Sequence, residues 1–68
     1  MNKFQSYTDN DVLEEAHNMA SRLSYYNAAE GNWRQETAAR LACQKEYREV
    51  MKEVNDRGLE FENRGYLL

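Results

Sequence analysis

His17, Cys43 and the acids Asp9, Asp11, Glu14 and Glu15 have the strongest claim to chemistry in this 68-residue sequence. His17 is its one histidine and Cys43 its one cysteine. A general base needs a nucleophile or substrate within hydrogen-bond reach, and the sequence places none beside His17. His17 reads as a partly exposed residue at the edge of an apolar stripe, next to Leu13. Catalytic cysteines occupy electropositive, partly exposed sites. Cys43 falls within an apolar stripe and is expected to be a small buried hydrophobe. Asp9-Asn10-Asp11 opens like a calcium loop, but Leu13 and Glu14 stand where that loop requires a ligand and a glycine. Glu14 and Glu15 lie at different helix angles, and no E-x-x-H motif accompanies them. The H-E-x-x-H, C-x-x-C, Walker A and G-x-G-x-x-G patterns do not occur. The expectation is a binding protein rather than an enzyme, with no catalytic residue, cofactor or metal.

The elements that carry these residues read as helices. Thr8 and Asp11 have the spacing of a capping box, and Tyr7 and Val12 that of a hydrophobic staple. Asp9, Asp11, Glu14 and Glu15 place negative charge at the positive end of a helix dipole. Val12, Ala16, Met19, Leu23 and Tyr26 follow at steps of four and three, broadened by Leu13 and Ala20. Gly31 suits the position just past a helix C-terminus, and Asn32 with Gln35 opens a second helix. Ala39, Cys43, Tyr47, Val50 and Val54 form the second stripe, with Met51 alongside. Glu36/Arg40 and Glu53/Arg57 are favourable i,i+4 pairs, and Gly58 is the stop. With no proline in the chain, one long helix through Gly31 competes with a hairpin. The adjacent stop and start signals favour the hairpin. The expected fold is all-α: an antiparallel two-helix hairpin over about 9–30 and 33–57, with a short tail.

The tail, 59–68, changes character. Leu59 and Phe61 alternate with Glu60 and Glu62, Asn63-Arg64-Gly65 signals a turn, and Tyr66-Leu67-Leu68 closes on apolar side chains. Folding back over the open end of the hairpin is expected, with a docking segment for a partner as the sharper alternative.

Sixty-eight residues are expected to form one domain, 1–68, with little buried core. A lone cysteine offers no internal disulfide, so oligomerisation or a larger partner is the expected support, most simply a helical-bundle homodimer. In that dimer two copies of Cys43 could face each other. The hydrophobic fraction of 41% is low for a self-sufficient core, while eight aromatics argue against disorder. No window is apolar enough to span a membrane, and the N-terminal residues do not read as a signal peptide. One free thiol agrees with a cytoplasmic setting.

A net charge of −3 gives no basic footprint for nucleic acid. The second helix carries Arg34, Arg40, Lys45, Arg48, Lys52 and Arg57, but Glu36, Glu46, Glu49, Glu53 and Asp56 nearly cancel them. Nucleic acid, RNA above all, is therefore an alternative partner that is not favoured. The favoured surface is aromatic and arginine-rich: Arg22, Tyr25, Trp33 and Arg34 near the turn, with Phe61 and Tyr66 in the tail. Tyr, Trp and Arg are enriched at protein–protein hot spots. The competing reading has Tyr26 and Trp33 closing the hairpin end.

In size, acidity and runs such as Glu36-Thr37-Ala38-Ala39-Arg40-Leu41-Ala42, the chain resembles small helical accessory proteins of bacteriophages. Its two-helix plan is also similar to that of plasmid copy-control proteins that dimerise into four-helix bundles. The phage resemblance implies an inhibitor or modulator of a host protein, such as a defence or nucleic-acid-processing complex.

Overall fold

The computed structural model describes residues 3–28 and 33–68, with side chains of the second stretch from residue 38 onward. Two helices make up the regular structure: α1 (Asp9–Ala28) and α2 (Trp33–Asp56). They pack as an antiparallel hairpin, and no strand occurs among the described residues. The break expected at Gly31–Asn32 lies outside the described residues.

Helix α1 begins as its sequence requires. The Asp11 N–H donates to Thr8 Oγ1 at 3.1 Å, and the Thr8 N–H donates to Asp11 Oδ2 at 3.3 Å. This reciprocal pair satisfies donors that the first turn would leave unpaired. Tyr7 packs against the core that contains Val12, as the staple predicts. Helix α2 ends in a Schellman motif. The Gly58 N–H donates to the Asn55 carbonyl, and the Leu59 N–H to the Val54 carbonyl. Gly58 has φ +68°, the left-handed conformation that glycine adopts without a Cβ penalty. Leu59 packs against the cluster that contains Val54, supplying the hydrophobic contact usual in this motif.

Val12, Ala16, Met19, Ala20 and Leu23 of α1 are buried, and so are Val50 and Val54 of α2. The α1 stripe is therefore buried along its length, apart from a half-buried Tyr26. The α2 stripe is buried only in its second half. Ala39, Cys43 and Tyr47 are half-buried, which corrects the expectation of a fully buried Cys43. Among the described residues, the buried cluster takes only Val50 and Val54 from α2, so Cys43 lies beyond it.

The open end of the hairpin is closed by the N-terminal segment together with the start of the tail, whose Leu59 and Phe61 pack against the same cluster. Phe4, only 2% exposed, belongs to the core cluster. A turn brings it there: the Tyr7 N–H donates to the Phe4 carbonyl at 2.9 Å, and the two rings meet edge to face at 5.2 Å. Lys3 lies over the Phe4 ring and pairs with Glu49 of α2. Arg57 locks the arrangement from the turn just past the end of α2. It donates through Nη2 to the Phe4 carbonyl at 2.8 Å and through Nη1 to the Tyr7 carbonyl at 2.9 Å. The same Nη1 reaches Asp9 at 3.0 Å, while Nε pairs with Glu53 at 2.5 Å. The tail then runs from Gly58 back along the hairpin, toward the C-terminal end of α1. This follows from its contacts: Leu59 and Phe61 with the core, Tyr66 with His17, Leu67 with Ser24 and Asn27.

Candidate functional site

The residues singled out for partner binding fall into two groups. Arg22 and Tyr25 lie one turn apart on α1, both exposed. Tyr25 is 66% exposed and meets Tyr26 edge to face at 5.5 Å. An aromatic so exposed on a regular helix contributes little to the fold and offers a flat, amphipathic contact. Leu67 and Leu68, 55% and 50% exposed, stand near the same end of α1, because the Leu67 backbone is bonded to Ser24 and Asn27. The Trp33 and Arg34 side chains lie outside the described ones.

Phe61 and Tyr66 form the second group, and both are half-buried within the fold. Asn63 sets their geometry. Its Oδ1 accepts from the N–H groups of Gly65 and Tyr66 at 3.0 and 2.7 Å, an Asx-type turn completed by Gly65 at φ +93°. The turn stacks the two rings, with centroids 6.4 Å apart. His17 lies against both, 4.7 Å from Phe61 and 5.9 Å from Tyr66 between ring centroids. Its Nδ1 is 3.1 Å from the Tyr66 hydroxyl, and Tyr47 meets Phe61 at 6.2 Å. His17 is thus partly exposed at the stripe edge, as its spacing leads one to expect, and the tail covers its other side. Its position beside Leu13 was a signal that something covers that flank of α1.

Charge is divided between the two helices. Tyr7, Asp11, Glu14, Glu15 and Asn18 line a hollow of about 250 Å³ on α1. Exposed Lys45, Arg48 and Lys52 fall on one face of α2, opposite Val50. Lys52 is paired with Asp56 at 3.3 Å, which lowers the charge this face presents. Around Arg57, the bond to Glu53 raises the guanidinium pKa above its ordinary value; desolvation opposes this rise, and Asp9 adds to it. Burial raises the Tyr47 phenol pKa. Among the described residues, no three His, Cys, Asp or Glu side chains are grouped to hold a metal ion. Among the same residues, no helix is long and apolar enough to cross a membrane.

No family model, curated protein or solved structure matches the chain.

Proposed function

We propose that the protein is a non-catalytic binding module whose partner is another protein, docked on the end of α1 that presents Arg22 and Tyr25. The observation that carries this reading is the exposure of Tyr25 on a regular helix, one turn from Arg22. Tyrosine and arginine anchor interfaces because each combines apolar area with directional polar contact. Leu67 and Leu68 add exposed apolar surface near that end. The acidic hollow on α1 would favour a partner with a basic rim, raising the association rate more than the affinity. Inhibition or modulation of a host protein is the function the phage resemblance adds. A second copy of the chain is the proposed support for the small core. Leu41, 54% exposed, and exposed Ala38 and Ala42 offer a face for it on the first half of α2.

RNA binding is the second reading, and Lys45, Arg48 and Lys52 are the observation that favours it. The pairing of Lys52 with Asp56 counts against it. Affinity capture from bacterial lysate distinguishes the two. The protein reading expects one stoichiometric partner, retained by the parent and lost by a folded Tyr25→Ala variant. Recovery of nuclease-sensitive RNA, lost by Lys45→Ala with Arg48→Ala, would replace it with the second reading.

A further inference from the structure

The outward faces of the two helices match each other residue by residue. On α1, Asp11, Glu15, Asn18, Arg22 and Tyr25 follow at steps of four, three, four and three, outside the buried stripe. All are exposed except the half-buried Glu15. On α2, read back from its C-terminal end, Lys52, Arg48, Lys45, Leu41 and Ala38 follow at the same steps, and all five are exposed. Laid antiparallel, the acids Asp11 and Glu15 meet Lys52 and Arg48, and Asn18 meets Lys45. Further along, the Arg22 stem crosses Leu41, and Tyr25 meets Ala38. Shape agrees with charge. The hollow lined by Tyr7, Asp11, Glu14, Glu15 and Asn18 lies at the acidic end, where the long basic side chains would enter. The projecting Tyr25, 66% exposed, falls opposite Ala38, the smallest side chain of the α2 stripe. Among the described residues, Glu14, Glu15, Lys45 and Arg48 make no ion pair within the chain. Within one chain α1 and α2 meet through their buried stripes, so these outward faces cannot meet each other. A second copy brings them together.

We propose that two copies join through these faces, α1 of one against α2 of the other, antiparallel and in this register. The inference rests on the reading of α1 as a protein-docking surface and names a second copy as the occupant of that face, with Leu41 inside the joint. Two different surfaces meet, so the contact is heterologous rather than one patch used twice. A parallel arrangement would set Asp11 against Ala38 and Tyr25 against Lys52, so the charge pattern also fixes direction. Tyr25 and Leu41 supply apolar area, while the charged half sets register and speeds encounter. Lys52 is already held by Asp56 at 3.3 Å, which leaves Lys45 and Arg48 as the bases that decide the contact. Exposed ion pairs are screened by salt, so the joint weakens as salt rises.

Sedimentation velocity of the purified, nuclease-treated full chain tests the joint. The parent should self-associate in low salt as its concentration rises to high micromolar, and should dissociate in molar salt. Glu14→Lys with Glu15→Lys in one variant, and Lys45→Glu with Arg48→Glu in another, should each weaken association about tenfold or more. An equimolar mixture of the two should associate again, because the first keeps the parent α2 face and the second the parent α1 face. Circular dichroism reports whether each variant folds. Where a reversal unfolds the chain, the corresponding Gln substitutions take its place and should give the same loss and the same rescue. A parent that stays monomeric overturns the proposal. So do folded variants that associate like the parent, and so does a folded mixture that remains monomeric. The α1 reading fails separately. A chain that is monomeric alone but captures a lysate partner through Tyr25 removes the joint and keeps that reading. A rescued mixture from a chain that captures no other protein supports the joint and removes the outside partner.

Discussion

Arg57 and Phe4 lie 53 positions apart in sequence, yet the guanidinium Nη2 of one donates to the backbone carbonyl of the other at 2.8 Å. This bond ties the buried aromatic Phe4 to the turn that follows α2. The fork geometry of Arg lets one side chain serve the carbonyls of Phe4 and Tyr7 and the carboxylates of Asp9 and Glu53 together. A lysine offers one point charge and cannot span these acceptors. Arg57→Lys should therefore lower the melting temperature nearly as much as Arg57→Ala. Both losses should persist in molar salt, because bonds to carbonyls are screened far less than exposed ion pairs. Thermal melts of the two variants overlaying that of the parent would contradict this role.

Gly58 supplies a cleaner test of local backbone. A Cβ at this position would meet nothing within 4 Å, so substitution carries no steric clash. Its φ of +68° alone sets the cost. Gly58→Ala should lose about 1 kcal/mol, and Gly58→Asn less, because Asn tolerates the left-handed region. For a domain this small, 1 kcal/mol lowers the melting temperature by roughly 4–8 °C.

Tyr47 should make stability fall in alkali. Burial raises its phenol pKa above the ordinary 10.0, so the folded state keeps a proton that the unfolded chain releases. The contribution is fully present below pH 10 and is lost as pH climbs through the higher folded value. Urea midpoints of the parent and Tyr47→Phe should run parallel between pH 7 and 9, and the parent should then decline faster. Parallel behaviour up to pH 11.5 would remove the effect.

Cys43 should react with a thiol reagent in the native state, without denaturant, because it is only half-buried. Cys43→Ala should cost less than about 1 kcal/mol, since little apolar surface is lost at a partly wet position. Protection of the thiol until global unfolding would restore the fully buried placement expected from sequence.

The proposed second copy is checked at Leu41. Sedimentation equilibrium should show a dimer, and Leu41→Glu should yield a folded monomer, because the side chain is already 54% exposed within one chain. By contrast, Leu23→Glu should unfold the chain, since it buries an unpaired charge. A parent that sediments as a monomer at high micromolar concentration removes this support.

What the sequence determined by itself was local. The four-and-three spacing of Val12, Ala16, Met19 and Leu23 gave the buried face of α1, because helical geometry alone puts those side chains on one side. Thr8 with Asp11, Glu53 with Arg57, and Gly58 are signals whose partners lie within five residues, and each appears as read. The turn at Asn63–Gly65 belongs with them. Tertiary structure decided which ends meet. Nothing near Phe4 in sequence shows that it joins the tail's Leu59 and Phe61 in filling the hairpin's open end. Nor does anything beside Arg57 name the carbonyls of Phe4 and Tyr7 as its acceptors. The same holds for His17 with Tyr66 and for Ser24 and Asn27 with Leu67, pairs separated by 40 to 49 positions. Periodicity and capping encode neighbours along one element. Choosing among distant surfaces depends on how two stripes, a turn and a tail fill space together, and that is settled only when the elements pack.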